Sequence, residues 1–500
     1  MSTTSLLHTR AQLGIDAPAV QVETHLSGGL PAFSIVGLPE AAVRESRERV
    51  RSALLNSGFE FPQRRITVNL APADLPKNGG RFDLPIALGI LNASGQLKID
   101  APERLEFLGE LALSGTLRPG SGVLPAALAA RDAGRELILP AGNAAEAALG
   151  KGCVRGATSL LTVCAHLRAL ELLPDTAPPP CAGLSEDGLC LSDVRGQAQA
   201  RRALEIAAAG AHSLLLRGPP GSGKSMLAQR LPGLLPPLDE QQALTVAAIH
   251  SLQRPRPVNS FRLPPYRAPH HTASAVALAG GGSQPRPGEV SLAHHGVLFL
   301  DEMPEFERRV LEVLREPLES GEVHIARANS QASFPARFQL IAAMNPCPCG
   351  WLGDPQRGCG YVCEKARRYQ QKLSGPLLDR IDLHVPVSAL SPMELTRQPP
   401  GETSAAVRQR VQAARERQLS RQGHLNHRLA GKALAPVLAQ HQRWLEQAVA
   451  RLGLSARALH RMLRVARTIA DLAGSEHVAE EALAEALGYR AGETAGRREH

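Results

Sequence analysis

At 500 residues, with 43% hydrophobic and 21% charged residues, the chain is too long for one ordinary core and too apolar to be disordered, so two to four packed domains are expected. Its apolar runs are short and broken by Gly, Pro or charge, and its start lacks the pattern of a signal peptide, which argues against a membrane-spanning helix and for a cytoplasmic protein with eight reduced or metal-bound cysteines. The net charge of +9 divides as +2 over residues 1–170, +1 over 171–400 and +6 over 401–500; the basic C-terminal segment permits a polyanionic partner without requiring one.

In chain order, residues 1–173 mix β-like runs such as "RRITVNLAP" with helix-like ones such as "GLPEAAVRESRERVRSALLNSG", so an α/β domain is expected there. Residues 174–185 open with "PDTAPPPC", the composition of a stiff linker. In 186–395 a helix rich in Ala, Leu and Arg, "GQAQARRALEIAAAGAH", precedes three apolar strands: "LLLR", "GVLFLDE" and "FQLIAAMNP". Residues 396–500 read as helical, with Ser455 placed to cap and Gly474 to stop a helix over "LSARALHRMLRVARTIADLAG". Strands alternating with helices, then a helical tail, predict a parallel-sheet α/β core with a small α-helical lid.

The chemistry gathers around the strands. Gly218, Pro219, Pro220, Gly221, Ser222, Gly223, Lys224 and Ser225 satisfy the P-loop pattern: glycines let backbone N–H groups converge on phosphates, Lys224 reaches the β/γ-phosphates and the Ser225 hydroxyl holds Mg²⁺. The second strand presents Asp301 for the Mg²⁺ shell and Glu302 to orient and polarise the attacking water. The third presents Asn345 to that water or to the γ-phosphate; on local sequence alone, the lesser alternative is a turn residue before Pro346. "SGPLLDRIDLHV" carries Arg380 between two acids and, read alone, is a salt-bridged loop.

The order of P-loop, L-D-E strand, Asn strand and L-L-D-R-I-D resembles the AAA+ class, in the branch of Mg-chelatase ATPase subunits and MCM-type helicases. That resemblance makes Arg380 a finger reaching the next subunit's γ-phosphate, and Arg457 of "SARALHRMLRVART" a sensor acting in cis or in trans. "YRAPHHTAS", "PRPGEVSLAHHGVLFLDEMPEF", "LREPLESGEVHIAR" and "NPCPCG" are similar to the ComM/YifB family, over nearly the whole chain. The His270–His271 and His294–His295 pairs within them read as loop and helix-insert residues rather than shared metal ligands. The N-terminal domain resembles the Lon-protease C-terminal domain, with Arg81 where the nucleophilic Ser falls and Ala126 where the catalytic Lys falls. A Ser-Lys dyad needs a hydroxyl and a deprotonatable amine, so proteolysis is not expected.

Cys347, Cys349, Cys359 and Cys363 lie within 17 residues; four thiolates can close a structural Zn²⁺ site, and plain free thiols are the alternative. The family usually has a Cys where Tyr361 stands here. The family resemblance implies an ATP- and Mg²⁺-dependent hexamer that moves on single-stranded or branched DNA during natural transformation. Arg327 and Arg337, around a hairpin in "EVHIARANSQASFPARFQ", are the phosphate-contact candidates, with salt bridging the other reading. The rival function is the motor subunit of a chelatase inserting Mg²⁺ into a porphyrin.

Overall fold

The computed structural model describes residues 3–490 apart from 38–42, 44, 179, 181–187, 283–284, 328–329, 353–363, 391–393, 395–397 and 430. Two sheets organise these residues. The first has seven strands in the spatial order Ala32–Val36, Arg65–Ala71, Ala19–Ser27, Thr4–Arg10, Leu105–Phe107, Glu136–Pro140, Val154–Ala157. Ala19–Ser27 pairs antiparallel with both its neighbours, while the other pairings are parallel. Ala19–Ser27 alternates exposed and buried residues along most of its length, as a strand with one wet face should. Helix Asp83–Ala93, almost wholly buried, covers the other face.

The second sheet is parallel throughout, in the order Tyr266–Arg267, Val297–Leu300, Gln339–Met344, Leu214–Arg217, Leu383–Pro386. Its inner strands are continuous apolar runs because helices cover both faces. Arg217 and Gln339, at strand ends, are the polar exceptions, and the Gln339 amide nitrogen donates to the carbonyls of Ala207 (2.9 Å) and His212 (2.8 Å). Helix Ala198–Gly210 packs through small buried alanines, which lets the C-terminal helices approach closely.

The lid helix runs over Ala456–Leu472. The Ser455 side chain accepts from the Ala458 N–H at 3.2 Å, and Gly474 takes φ +73° two residues past the helix end. Both ends thus fall as its sequence predicts. Its buried face includes Met462, Leu463, Ala466 and Ile469. Among the described residues no helix is long and apolar enough to cross a membrane.

The two sheet-bearing units touch directly. Helix Val123–Asp132 of the first has its N-terminal amides capped by the second: Gly122 N donates to the Ser251 carbonyl (2.7 Å), and Val123 N and Leu124 N to Ser251 Oγ (3.0 and 3.2 Å). A small apolar cluster including Leu124, Ala243, Val246 and Phe261 seals that contact.

Candidate nucleotide site

The P-loop strand Leu214–Arg217 runs into the Gly218–Gly223 turn, and helix Lys224–Arg230 follows it. A Cβ at Gly218 would sit 2.0 Å from the Val387 carbonyl, so only glycine fits there. Gly221 and Gly223 are left-handed at φ +73° and +90°, where side chains are strained.

The parallel register brings the catalytic candidates together at one end of the sheet. Lys224 Nζ donates to the carbonyls of Gly218 and Pro219 (both 2.8 Å) and to Asn345 Oδ1 (3.1 Å). Burial lowers its pKa from the ordinary lysine value, against the pull of Asp301 and Glu302. Ser225 Oγ donates to Asp301 Oδ2 at 2.7 Å, and Asp301 Oδ1 accepts from the Glu302 N–H at 3.0 Å. Glu302 is left-handed at φ +49°, a conformation that costs a residue with a side chain about 1–3 kcal/mol and often marks a functional site. Its exposed carboxylate lies at the strand's C-terminal end. This cluster can hold a triphosphate on backbone amides and Lys224, a hard cation on Ser225 and Asp301, and a water against Glu302.

Arg380 stands apart from this cluster. It precedes strand Leu383–Pro386, whose Leu383 pairs with Leu214 at the start of the P-loop strand. Arg380 is therefore at the opposite, N-terminal end of the strands, a strand length of about 13 Å from the P-loop. Its side chain is nearly buried, ion-paired with Glu319 and donating to the Pro376 carbonyl (2.7 Å). Arg457 is exposed in the first turn of the lid helix.

Several residues were not singled out by sequence. His271 Nδ1 lies 3.7 Å from Glu302 Oε2; its pairing with His270 in the motif was visible, its neighbour was not. Arg461 donates to the Arg380 carbonyl (2.8 Å) and to Asp382 Oδ1 (2.7 Å). Asp382 also accepts from the Ser213 N–H (3.1 Å) and hydroxyl (3.2 Å). Burial opposes charge on Asp382, but His212 and Arg461 outweigh it and hold the carboxyl far below its usual range.

The histidine pairs lie off the strands, as expected, but their rings pack together within each pair, at centroid distances of 4.1 and 4.0 Å. His294 Nδ1 accepts from the Arg337 N–H (3.0 Å), and burial drives His294 down to about 3. It is a neutral brace.

Cys347 and Cys349 bring their sulfurs to 3.0 Å, in a turn closed by Gly350, whose Cβ would strike Pro220 of the P-loop at 2.4 Å. Cys359 and Cys363 lie outside the described residues. Among the described residues no three His, Cys, Asp or Glu are arranged to hold a metal. The hairpin forms from Glu322–Arg327 and Ser330–Pro335; exposed Arg337 follows it at the base, with no ion pair among the described residues.

A five-stranded parallel sheet with these residues at one end, followed by a helical lid, is a P-loop core of the AAA+ type. Family models agree: that of magnesium chelatase subunit ChlI matches residues 190–395, a second ChlI model matches 22–143, and the ChlI C-terminal model matches 401–490. The chain is 50% identical over 499 residues to the uncharacterized protein YifB of Salmonella typhimurium, and over 498 to the competence protein ComM of Haemophilus influenzae, covering 97% of each chain. It is 29% identical over 175 residues to the magnesium-chelatase 38 kDa subunit of Cereibacter sphaeroides, covering 31% of this chain and 52% of that one. The chain belongs to the ComM/YifB family of magnesium-chelatase-like AAA+ proteins.

Proposed function

We propose that the protein is an ATP hydrolase that works as a closed ring, a hexamer, and moves on single-stranded or branched DNA during recombination of incoming strands. The observation that carries hydrolysis is the bonded set Lys224–Asn345 and Ser225–Asp301, with Glu302 next in the chain. ATP supplies the leaving group and Mg²⁺ the charge neutralisation. Lys224 and the P-loop amides bind the phosphates, Ser225 and Asp301 hold the cation, and Glu302 takes the proton of the attacking water.

Ring action is the reading that the position of Arg380 supports: it sits before the N-terminal end of strand Leu383–Pro386, away from its own P-loop, so a neighbour's γ-phosphate is the one it would serve. The lid helix passes from His212, where Thr468 Oγ1 lies 2.7 Å from Nε2, to Asp382, where Arg461 bonds. One turn nearer the helix start, about 6 Å on, stands exposed Arg457, the sensor candidate, acting in cis or in trans.

DNA as partner is supported by the ComM relative, a competence protein by name, by the basic segment 401–500 and by the hairpin, whose Arg327 and neighbouring Arg337 are the phosphate-contact candidates. ATPase rate with and without single-stranded and branched DNA tests it; stimulation should fall with rising salt as counterion release weakens. The chelatase reading is favoured by the ChlI models. An ATPase indifferent to every DNA form but raised by porphyrin-binding partners selects it.

A structural zinc held by Cys347, Cys349, Cys359 and Cys363 belongs to the same proposal. The two described thiols are as close as about 3 Å and need open only slightly to share a tetrahedral ion. Metal analysis should find about one zinc per chain, reduced in Cys347→Ser; metal-free, fully stable protein makes the cluster plain thiols.

A further inference from the structure

Between the first sheet and the ATPase core lies a cavity of about 340 Å³, large enough for a small ligand. One side is formed by the Gln12–Gly14 loop, the Gly79–Arg81 turn and Gly120–Ser121; the other includes Arg286 and the hairpin residue Ala332. The wall carries three charged groups: Glu110, which is paired with Arg118 at 3.6 Å, exposed Arg286, and Arg81, which has no ion pair among the described residues. Its Nη2 donates to Gln12 Oε1 (2.6 Å) and to the Ser121 carbonyl (2.8 Å), both neutral. Its Nη1 is buried and has no hydrogen-bond partner among the described residues. Burial alone pulls the guanidinium down to about 10, with no carboxylate offsetting it, so it stays charged at neutral pH in a place that penalises charge. A half-buried cation of this kind is favoured by an anion that reaches it. A second guanidinium, exposed Arg286, lines the same space.

We propose that this cavity is a binding site for a small oxyanion, a carboxylate or a phosphate, which takes the place of the Gln12 amide oxygen and receives Nη1 and Nη2 of Arg81 as a fork. Such bidentate contacts are the strong ones for guanidinium. Because Ala332 belongs to strand Ser330–Pro335, the ligand would sit between the N-terminal unit and the hairpin of the ATPase core. The site is independent of the P-loop.

The test uses the full chain with its P-loop first saturated by a non-hydrolysable ATP analogue and Mg²⁺, so that added phosphate reports on the cavity. Inorganic phosphate and N-acetyl-dialanine with a free carboxylate are titrated separately by calorimetry, the dialanine amide serving as control. Binding of phosphate alone assigns a phosphate ligand, and binding of the free acid but not the amide assigns a carboxylate; either supports the site. Two variants locate it. Arg81→Met should weaken binding at least about tenfold. Gly120→Leu should do the same by filling the space: a Cβ there meets nothing within 4 Å and the backbone is not left-handed. That second variant keeps the test sharp if Arg81→Met misfolds. No binding of either probe up to about 10 mM, or binding unaltered in Gly120→Leu, overturns the proposal.

Discussion

Lys224 and Arg380 are both largely buried cations of the ATPase core, and they are at rest in different ways. Lys224 is folded among residues of the proposed nucleotide site: the carbonyls of Gly218 and Pro219, and Asn345. Arg380 is tied to Glu319 and Pro376, groups that have no place in the nucleotide site. On the proposed function, the first half of the site is assembled within one chain, and the second half would be aimed at a neighbour and satisfied at home while at rest. The difference follows from the sheet, whose parallel strands put Lys224 beyond their C-terminal ends and Arg380 before their N-terminal ones.

The sharpest way to break this comparison is to remove the outward half. Arg380→Ala should bind ATP normally yet hydrolyse it about 10³–10⁵ times more slowly, the range found for arginine fingers. Mixing it with Lys224→Ala subunits should restore part of the turnover, because some interfaces then carry both groups intact. No recovery in mixed rings would mean that Arg380 acts within its own chain. Removing the inward half should look different. Glu302→Gln keeps Mg²⁺ binding through Asp301 but loses the base, so ATP is retained while turnover falls about 10²–10⁴-fold. Parental rates in that variant would remove Glu302 from the mechanism.

Sequence and structure agree best where chemistry is local. The P-loop and Asp301–Glu302 follow from spacing, because phosphate binding needs glycine turns, a lysine and a hydroxyl in fixed order along one strand-turn-helix. The lid helix ends are equally local: Ser455 and Gly474 act within one turn. What the sequence left dark depends on partners far along the chain. His271 meets Glu302 from a neighbouring strand's loop, and Arg461 meets Arg380 across 81 residues. Neither contact leaves a spacing to read. Arg81 is legible in the sequence for the chemistry it lacks, while its position on a cavity wall, with one nitrogen unpartnered among the described residues, depends on the packing.

Arg461 gives the intermediate test, since it holds the backbone on which the finger is mounted. Arg461→Met should leave ATP affinity unchanged and lower turnover about tenfold, since small misplacement of a catalytic group is costly. In mixed rings the loss should follow the subunit that donates Arg380, not the one that binds ATP. Arg461→Lys, able to make one of the two bonds, should recover part of the rate. A drop in ATP affinity or in thermal stability equal to the loss of rate would reduce Arg461 to a structural strut.

The smallest effect concerns the resting contact itself. Glu319 is more than half exposed, with a side-chain accessibility of 57%, so its pair with Arg380 contributes only about 0.2–1 kcal/mol after solvent screening. Glu319→Gln should free the guanidinium without altering its chemistry. If the pair competes with the neighbour's γ-phosphate, turnover of the assembled ring should rise, by at most about fivefold for 1 kcal/mol. The gain should shrink at high salt, where the parental pair is already weakened, and it should vanish in the Arg380→Ala background. A rate that falls instead would mean that Glu319 steers Arg380 toward the neighbour, and that the outward half of the site is as preassembled as the inward one.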